Sequence, residues 1–346
     1  MKGKEITIYD LAHKLQISST TVSRALKDDP LISLKTRKKI FELAEKMGYR
    51  TNYFARNLRT QKTNTIGCIV HELQSNFITT VLGGIEEVAT EAGYDLLITH
   101  SSESAKKEVA NARNLFQKRV DGLITSLSID TVNLDHFKPF AEKGVPVVFF
   151  DRVEKTENYT AVIIDNYKSG YQATQHLIEQ GCKKIAIVTS SLVRNVYSER
   201  LRGYKDALFD YGISFDENLI IINDLSEKAG ITSAAQILAM RPLPDGAFIA
   251  NDFVAAVCMR ILKENHIAIP DDIAIVGFNN DVVGKIIEPA LTTINYAGKE
   301  MGQVAARTIL GHLKGESNIQ QINTIIINSG IIVRQSSLKK RPDILH

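Results

Sequence analysis

The sequence predicts an α/β protein with a small helical head of helix-turn-helix type and a large body of parallel sheets in two lobes. Three observations lead there. A chain of 346 residues exceeds one module at roughly 150 residues per domain, and 44% apolar with 23% charged residues is an ordinary globular composition. Residues 1–62 hold fourteen Lys and Arg against six Asp and Glu, a balance of +8, while the whole chain is only +3, which leaves −5 for the remainder. From Thr65 onward, short β-branched runs alternate with helical stretches, the pattern of parallel sheets covered by helices.

Other classes fall away on the same reading. No apolar run approaches the roughly 18 residues of a membrane span, and the N-terminal MKGKEITIYDLAHKL has neither the apolar core nor the cleavage site of a signal peptide. A cytoplasmic protein without a membrane partner is expected. Cys68, Cys182 and Cys258 are isolated and set in apolar surroundings, as expected of buried thiols in a reducing compartment. No C-x-x-C pair exists, and neither metal nor cofactor is expected.

The head begins with Thr7, followed three residues later by Asp10, a capping-box-like start. Ile8, Leu11, Ala12 and Leu15 recur at helical spacing, Gln16-Ile17 interrupts, and Ser18 caps a second helix with Thr21, Val22, Ala25 and Leu26 inside. Two short helices joined by a tight turn form a helix-turn-helix. The second exposes Ser19, Thr20, Ser23 and Arg24, small hydroxyls and a guanidinium suited to base edges in a major groove. Asp28-Asp29-Pro30 ends it. Ser33 then caps a third helix with Ile40, Leu43, Ala44 and Met47 on one side and Arg37, Lys38 and Lys39 near its start, stopped by Gly48.

The order of these residues resembles the DNA-binding head of the lactose repressor (LacI/GalR) family. Asp10-Leu11-Ala12, Ile17-Ser18, Thr21-Val22-Ser23-Arg24-Ala25-Leu26, Thr36-Arg37 and the close Gly48-Tyr49-Arg50-Thr51-Asn52 carry the likeness. One departure is Gln16, where some members have Gly. The resemblance implies that Ser19, Thr20 and Arg24 contact bases and that Thr7, Ser18, Ser23 and Asn52 contact phosphates, which position rather than specify.

Residues 51–63 form the connection between a DNA-binding domain (1–50) and an effector-binding and dimerisation domain (64–346). Ala55 and Leu58 stand one helical turn apart with Arg56 and Arg59 beside them, too apolar and basic for a neutral tether. The segment resembles the family's hinge helix, which implies that Leu58, with Ala55 one turn away, enters the minor groove as a wedge that kinks the duplex. So short a helix is not stable alone, which makes it a natural switch.

In the body, strands are expected at TIGCIV, DLLIT, GLIT, VPVVFF, AVII, KIAIV, LIII, GAFIA and IAIVG, with helices between, including one over 198–212. Ligands of such sheets sit beyond the carboxyl ends of the strands. There the chain places Phe77, Asp151-Arg152, Asp165, Arg200 opening a helix, Asn251-Asp252 and Asn279-Asn280-Asp281. Each of the polar ones is a helix cap by its own chemistry; together they offer the carboxylate, guanidinium, amide and aromatic groups that suit a polyhydroxylated ligand. His71 is expected at the cleft rim.

The body also resembles the family's core, a two-lobed fold like periplasmic binding proteins. Gly84-Ile85-Glu86, Val120-Asp121-Gly122, Val145-Pro146-Val147-Val148, Arg200 with Gly203-Tyr204, Asn251-Asp252, Ile269-Pro270-Asp271-Asp272-Ile273, Gly277-Phe278 and Leu291-Thr292-Thr293-Ile294 carry that likeness. It implies that Asp151, Arg200, Asn251 and Asn279 contact an effector with Phe77 at the rim. Asn279 stands where several sugar-responsive members carry aspartate, and the loop Gln74-Ser75-Asn76-Phe77-Ile78 lacks the common Asn-Pro-Phe-Phe. The implied function is a homodimeric transcriptional regulator, a repressor, binding a pseudo-palindromic operator in double-stranded DNA under control of a carbohydrate effector.

Two other functions compete. A cytoplasmic α/β enzyme would need a catalytic motif, and the chain has no G-x-G-x-x-G, phosphate loop, G-x-S-x-G or H-E-x-x-H. A solute-binding protein would have no use for the basic head.

Overall fold

The computed structural model describes residues 6–49, 62–154, 159–321 and 324–339. The chain divides into two compact units, one ending at Thr63 and the other starting at Asn64. The first holds three helices: α1 (Ile8–Leu15), α2 (Ser19–Ala25) and α3 (Leu34–Met47). Leu11, Ala12, Val22, Ala25, Ile40 and Ala44 form its buried core, supported by Ile8, Leu15, Ile17, Leu26 and Met47.

Local chemistry sets each end of these helices. Thr7 accepts a hydrogen bond from the Asp10 N–H, and the Asp10 carboxylate accepts from the Thr7 N–H at 2.8 Å, a complete capping box. Ser18 and Ser33 accept from the N–H groups of Thr21 and Thr36 at 3.0 and 3.2 Å. Gln16 closes α1 in the left-handed region (φ 54°, ψ 41°), which costs a non-glycine residue about 1–2 kcal/mol. Gly48 closes α3 in the same region without that cost.

The second unit carries two six-stranded sheets among the described residues. The first lobe contains β1 (Thr65–Val70), α4 (Asn76–Glu91), β2 (Asp95–His100), α5 (Ala105–Gln117), β3 (Gly122–Thr125), α6 (Lys138–Glu142), β4 (Val147–Phe150) and β5 (Thr160–Ile164). The second lobe contains α7 (Asn166–Glu179), β6 (Ile185–Thr189), α8 (Asn195–Asp210), β7 (Ile220–Ile222), α9 (Glu227–Ala239), β8 (Gly246–Ile249), α10 (Asp252–Glu264), β9 (Ala274–Phe278), α11 (Val283–Ile286) and β10 (Thr292–Ile294). The chain returns through Tyr296 to give the first lobe α12 (Gly298–Leu313) and β11 (Thr324–Ile327), then crosses again to β12 (Ile331–Ile332). Strand order is β11-β5-β4-β3-β1-β2 in one sheet and β12-β10-β9-β8-β6-β7 in the other. All described pairings are parallel except β10 with β12.

Almost every expected strand forms within a residue or two of its place. The helix expected over 198–212 begins at Asn195 instead, so Arg200 lies in its second turn rather than at its opening. The cause is that Tyr197 and Val196 are buried with Leu201 and Tyr204 on the same helical face, a stripe that starts earlier than the apolar count alone suggests.

Backbone packing fixes where α8 lies. A Cβ on Gly203 would stand 2.1 Å from the Tyr167 carbonyl oxygen, and one on Gly170 would stand 2.2 Å from that of Arg200. Helices α7 and α8 therefore cross in direct backbone contact, which glycine alone permits at those positions. The first lobe repeats the device: a Cβ on Gly84 would meet the Lys299 carbonyl at 2.1 Å, and one on Gly302 that of Val81 at 2.0 Å.

Because no flexible side chain can yield there, Gly203→Ala is expected to destabilise the body by about 1–3 kcal/mol. Thermal unfolding should show the midpoint several degrees lower, and an unchanged midpoint would refute the close crossing.

Candidate functional site

The outer side of α2 is the candidate nucleic-acid interface. Val22 and Ala25 anchor it to the core, leaving Thr20 and Arg24 exposed and Ser19 and Ser23 partly exposed. The Arg24 Nε donates to the Asp29 carboxylate at 2.8 Å, and this bond, with another from the Leu31 N–H, holds the Asp29 carboxyl below the usual range. Arg37 donates to both the Asp28 carbonyl and its carboxylate. The acidic turn after the recognition helix therefore restrains two of the basic groups, while Lys38 and Lys39 remain exposed. The Thr7 and Ser18 hydroxyls take part in helix caps. Asn52, Ala55 and Leu58 lie outside the described residues.

The second site is the cleft between the lobes, which is closed. One buried apolar cluster runs from Ile66 and Val70 through Phe77 and Tyr296 to Phe278 and Phe248. Tyr296 stacks on Phe77 with ring centres 4.1 Å apart, meets Phe278 edge-on at 5.6 Å, and donates its hydroxyl to Asp151 Oδ1 at 2.5 Å. The Arg200 guanidinium lies 3.4 Å above the Phe278 ring centre, with Nε donating to Asn166 Oδ1 at 2.9 Å and Nη1 to the Ala250 carbonyl at 3.4 Å. A desolvated cation over an aromatic face is worth ~2 kcal/mol. Thus Phe77, Asp151 and Arg200 converge as a unit.

The remaining expected residues are placed differently. Asn251 accepts from the Val254 N–H at 3.0 Å and caps α10, and Asp165 likewise caps α7 through the Lys168 N–H. Asn279 follows Phe278 with φ 120° and hydrogen-bonds Asp281. His71 is buried rather than at the rim, with Nδ1 3.1 Å from the Ser126 hydroxyl. Burial, with the Arg152 charge, drives its pKa well below the ordinary value, so it is neutral. The correction follows from the all-buried end of β1, which carries His71 inward with Ile69 and Val70.

Several further residues hold the lobes together; Arg152 and Asp281 stand past strand ends in the sequence, whereas Glu103, Arg194, Asn195 and Tyr197 carry no such mark. Arg152 chelates Glu103 at 2.6 and 2.8 Å from the first lobe and reaches the Tyr197 hydroxyl at 3.2 Å in the second. Asn76 donates to Asp281 at 2.9 Å, and Asn195 accepts from the Val153 N–H at 3.0 Å. Arg194 donates through Nη2 to the Thr131 carbonyl at 2.5 Å. A helix started at Asn195 shows the signal: Arg194, Tyr197 and Arg200 recur at three-residue spacing on one face. Tyr296 stands two residues past the β10 end.

Burial shapes the charges here. It raises the Asp151 pKa, partly offset by Arg152 and by the Tyr296 hydroxyl. It pushes Asp252, hydrogen-bonded to Thr293 Oγ1 at 2.7 Å and the Asp281 N–H at 2.8 Å, up to about 7. The three cysteines are free and buried, with their thiols pushed up to about 12. Among the described residues no group of three His, Cys, Asp or Glu could hold a metal ion, and no helix is long and apolar enough to cross a membrane.

Residues 7–52 match the model for bacterial regulatory proteins of the lacI family, and residues 174–337 match a periplasmic binding protein-like domain. Catabolite control protein A of Priestia megaterium is 30% identical over 313 residues, spanning 90% of this chain and 94% of the relative. The structure of a transcriptional regulator CelR–cellobiose complex aligns with TM-score 0.71 at 27% identity, covering 96% of this chain and all of that one. The lac repressor dimer bound to operator and the anti-inducer ONPF aligns with TM-score 0.84 at 24% identity, covering 97% of this chain and all of that one, a likeness of fold. These relatives are regulators rather than enzymes.

Two outcomes follow. Asp29→Asn should free Arg24 and remove a negative charge facing DNA, raising operator affinity a few-fold in a gel-shift titration; weaker binding would overturn the restraint. For Asp252 the native state holds a proton that the unfolded chain has released, so its contribution to stability is complete below about pH 4 and is lost as pH rises toward 7. The stability of Asp252→Asn relative to the wild type should therefore increase across that window, by at most ~1.4 kcal/mol per pH unit. A pH-independent difference in denaturant titrations would contradict it.

Proposed function

The chain belongs to the lacI family of bacterial regulatory proteins, and we propose that it is a transcriptional repressor whose operator affinity is changed by a small carbohydrate in the interlobe cleft. The observation that carries this reading is the presence on one chain of an outward-facing recognition helix with Arg24 and a cleft where Asp151, Arg200 and Phe77 converge beside Tyr296. Thr20, Ser19 and Arg24 read bases, with Arg24 offering a bidentate pair to guanine worth about 1–3 kcal/mol of discrimination. Thr7, Ser18, Ser23 and Asn52 contact phosphates, and Leu58 with Ala55 forms the minor-groove wedge.

In the effector site, Asp151 and Arg200 span vicinal hydroxyls and Phe77 covers an apolar sugar face, with Asn251 and Asn279 at the edge. The CelR relative bound to cellobiose supports a sugar. A homodimer on a pseudo-palindromic operator is supported by the lac repressor dimer and by Phe253, Val282 and Ile286, apolar and exposed on the second lobe. Its place of action is the cytoplasm, with the chromosome.

Effector-linked coupling of about 1–3 kcal/mol would change operator affinity roughly 5- to 150-fold. Leu58→Ala is expected to weaken specific operator binding while leaving effector binding intact, and Arg200→Ala to abolish the effector response without unfolding the body. Fluorescence anisotropy on labelled operator with and without sugar reads both; normal operator affinity in the first variant removes the wedge, and a normal response in the second removes the cleft.

A further inference from the structure

The turn after the recognition helix holds out an apolar side chain. Leu31 is 79% exposed, more than any other large apolar residue of the described head. A lone exposed leucine is ordinary on a protein surface, but this one is fixed on both sides. The Asp29 carboxylate accepts from the Leu31 N–H at 2.9 Å through Oδ1 and from the Arg24 Nε at 2.8 Å through Oδ2. On one side, the Asp29 N–H donates to the Arg24 carbonyl at 3.1 Å. On the other, the Ile32 N–H donates to the Asp29 carbonyl at 3.0 Å, and Ile32 packs against the head core. Leu31 therefore stands beside the Arg24 guanidinium on restrained backbone, an apolar group left in water and pre-organised for contact.

Charge identifies what covers it. With Nε engaged by Asp29, the guanidinium presents its Nη1–Nη2 edge, which takes the O6 and N7 acceptors of guanine end-on. A surface beside that contact meets either a sugar–phosphate strand or the major-groove edge of the neighbouring base pair. The Asp29 carboxylate, bonded to the Leu31 N–H, repels a phosphate and is tolerated by neutral base edges. The apolar feature that the major groove offers is the C5-methyl group of thymine, and a leucine side chain matches it.

We propose that Leu31 reads a base: its side chain packs on the C5-methyl of a thymine in the pair next to the guanine engaged by Arg24, and Asp29 is the positioning residue that sets the two side chains together. Each half-site then carries a guanine adjacent to a thymine whose methyl faces the turn. This rests on the head binding operator DNA, and it adds to the bases read by α2 one read by the turn that follows it.

The test uses the full-length protein and an operator selected from a randomised duplex pool. In that duplex each thymine is replaced in turn by deoxyuridine, which removes the methyl and leaves the hydrogen-bonding edge unchanged. One thymine per half-site, next to a guanine, should cost about 3- to 10-fold in affinity on replacement. Leu31→Ala should bind the thymine and deoxyuridine duplexes equally, while 7-deazaguanine at the neighbouring guanine still weakens it. Its thermal midpoint should match that of the wild type, because the side chain is exposed. Asp29→Ala should also lose the preference for thymine, and Asp29→Asn, which keeps an acceptor for the Leu31 N–H, should retain it. The proposal is overturned if no thymine responds to deoxyuridine, or if the methyl preference survives in Leu31→Ala. An equal loss by Leu31→Ala on operator and on unrelated duplex also overturns it, because the side chain then meets the sugar–phosphate strand. If any of these occurs while Arg24→Ala still loses the guanine preference, the head stands as a DNA-binding domain and only the Leu31 contact falls. If the pool yields no enriched sequence, both fall.

Discussion

Closing two lobes over charged side chains is the constraint on which the rest of the body depends. Water that would solvate Arg152, Arg194, Arg200 and Asp151 is excluded when Phe77, Tyr296 and Phe278 pack into one apolar cluster. Each charge then needs a protein partner: Asn166 on the neighbouring helix for Arg200, and, from the opposite lobe or the crossover, Tyr296 for Asp151, Tyr197 for Arg152 and Thr131 for Arg194. Hydrogen bonds to ionised groups are the strong ones, so these contacts hold the lobes shut.

Such an arrangement demands precision from elements far from the cleft. Arg200 lies above Phe278 because α8 cannot move away from α7, where Gly170 and Gly203 allow backbone to touch backbone. The first lobe uses Gly84 and Gly302 in the same way to seat α4, which carries Phe77 near its start, against α12. Left-handed backbone at Asp151 and at Asn280, residues other than glycine, adds local strain beside the cleft, where such strain is commonly held in place by surrounding packing.

In the head, the opposite balance holds. Its core is small; Asp29 restrains the exposed Arg24, and Asp28 restrains Arg37, which is largely buried. An ion pair as exposed as Arg24–Asp29 contributes little to stability, so it exchanges readily for phosphate or base contacts. The same acidic turn thus ends the recognition helix and keeps its arginine ordered, which is a reason for two adjacent aspartates in an otherwise basic domain.

The sequence by itself determined the elements and their class. Apolar periods placed the strands and the three head helices, Thr7, Ser18 and Ser33 marked the helix starts, Gly48 marked an end, and the charge split of +8 against −5 separated the two parts. Those signals are local, written within a turn or a strand. Phe77, Asp151 and Arg200 were legible as polar or aromatic residues past strand ends, because parallel sheets direct such positions outward. Whether a given Asn or Asp there is a cap or a ligand was not, since both roles use the same oxygen; only folding showed Asn251 and Asp165 turned to backbone N–H groups. Tertiary structure also decided that Tyr296 bonds Asp151 145 positions away, that His71 is buried, and that Arg194 has donors left over. These depend on which residues meet when the lobes close, and a buried polar group is costly or useful according to neighbours that no local pattern records.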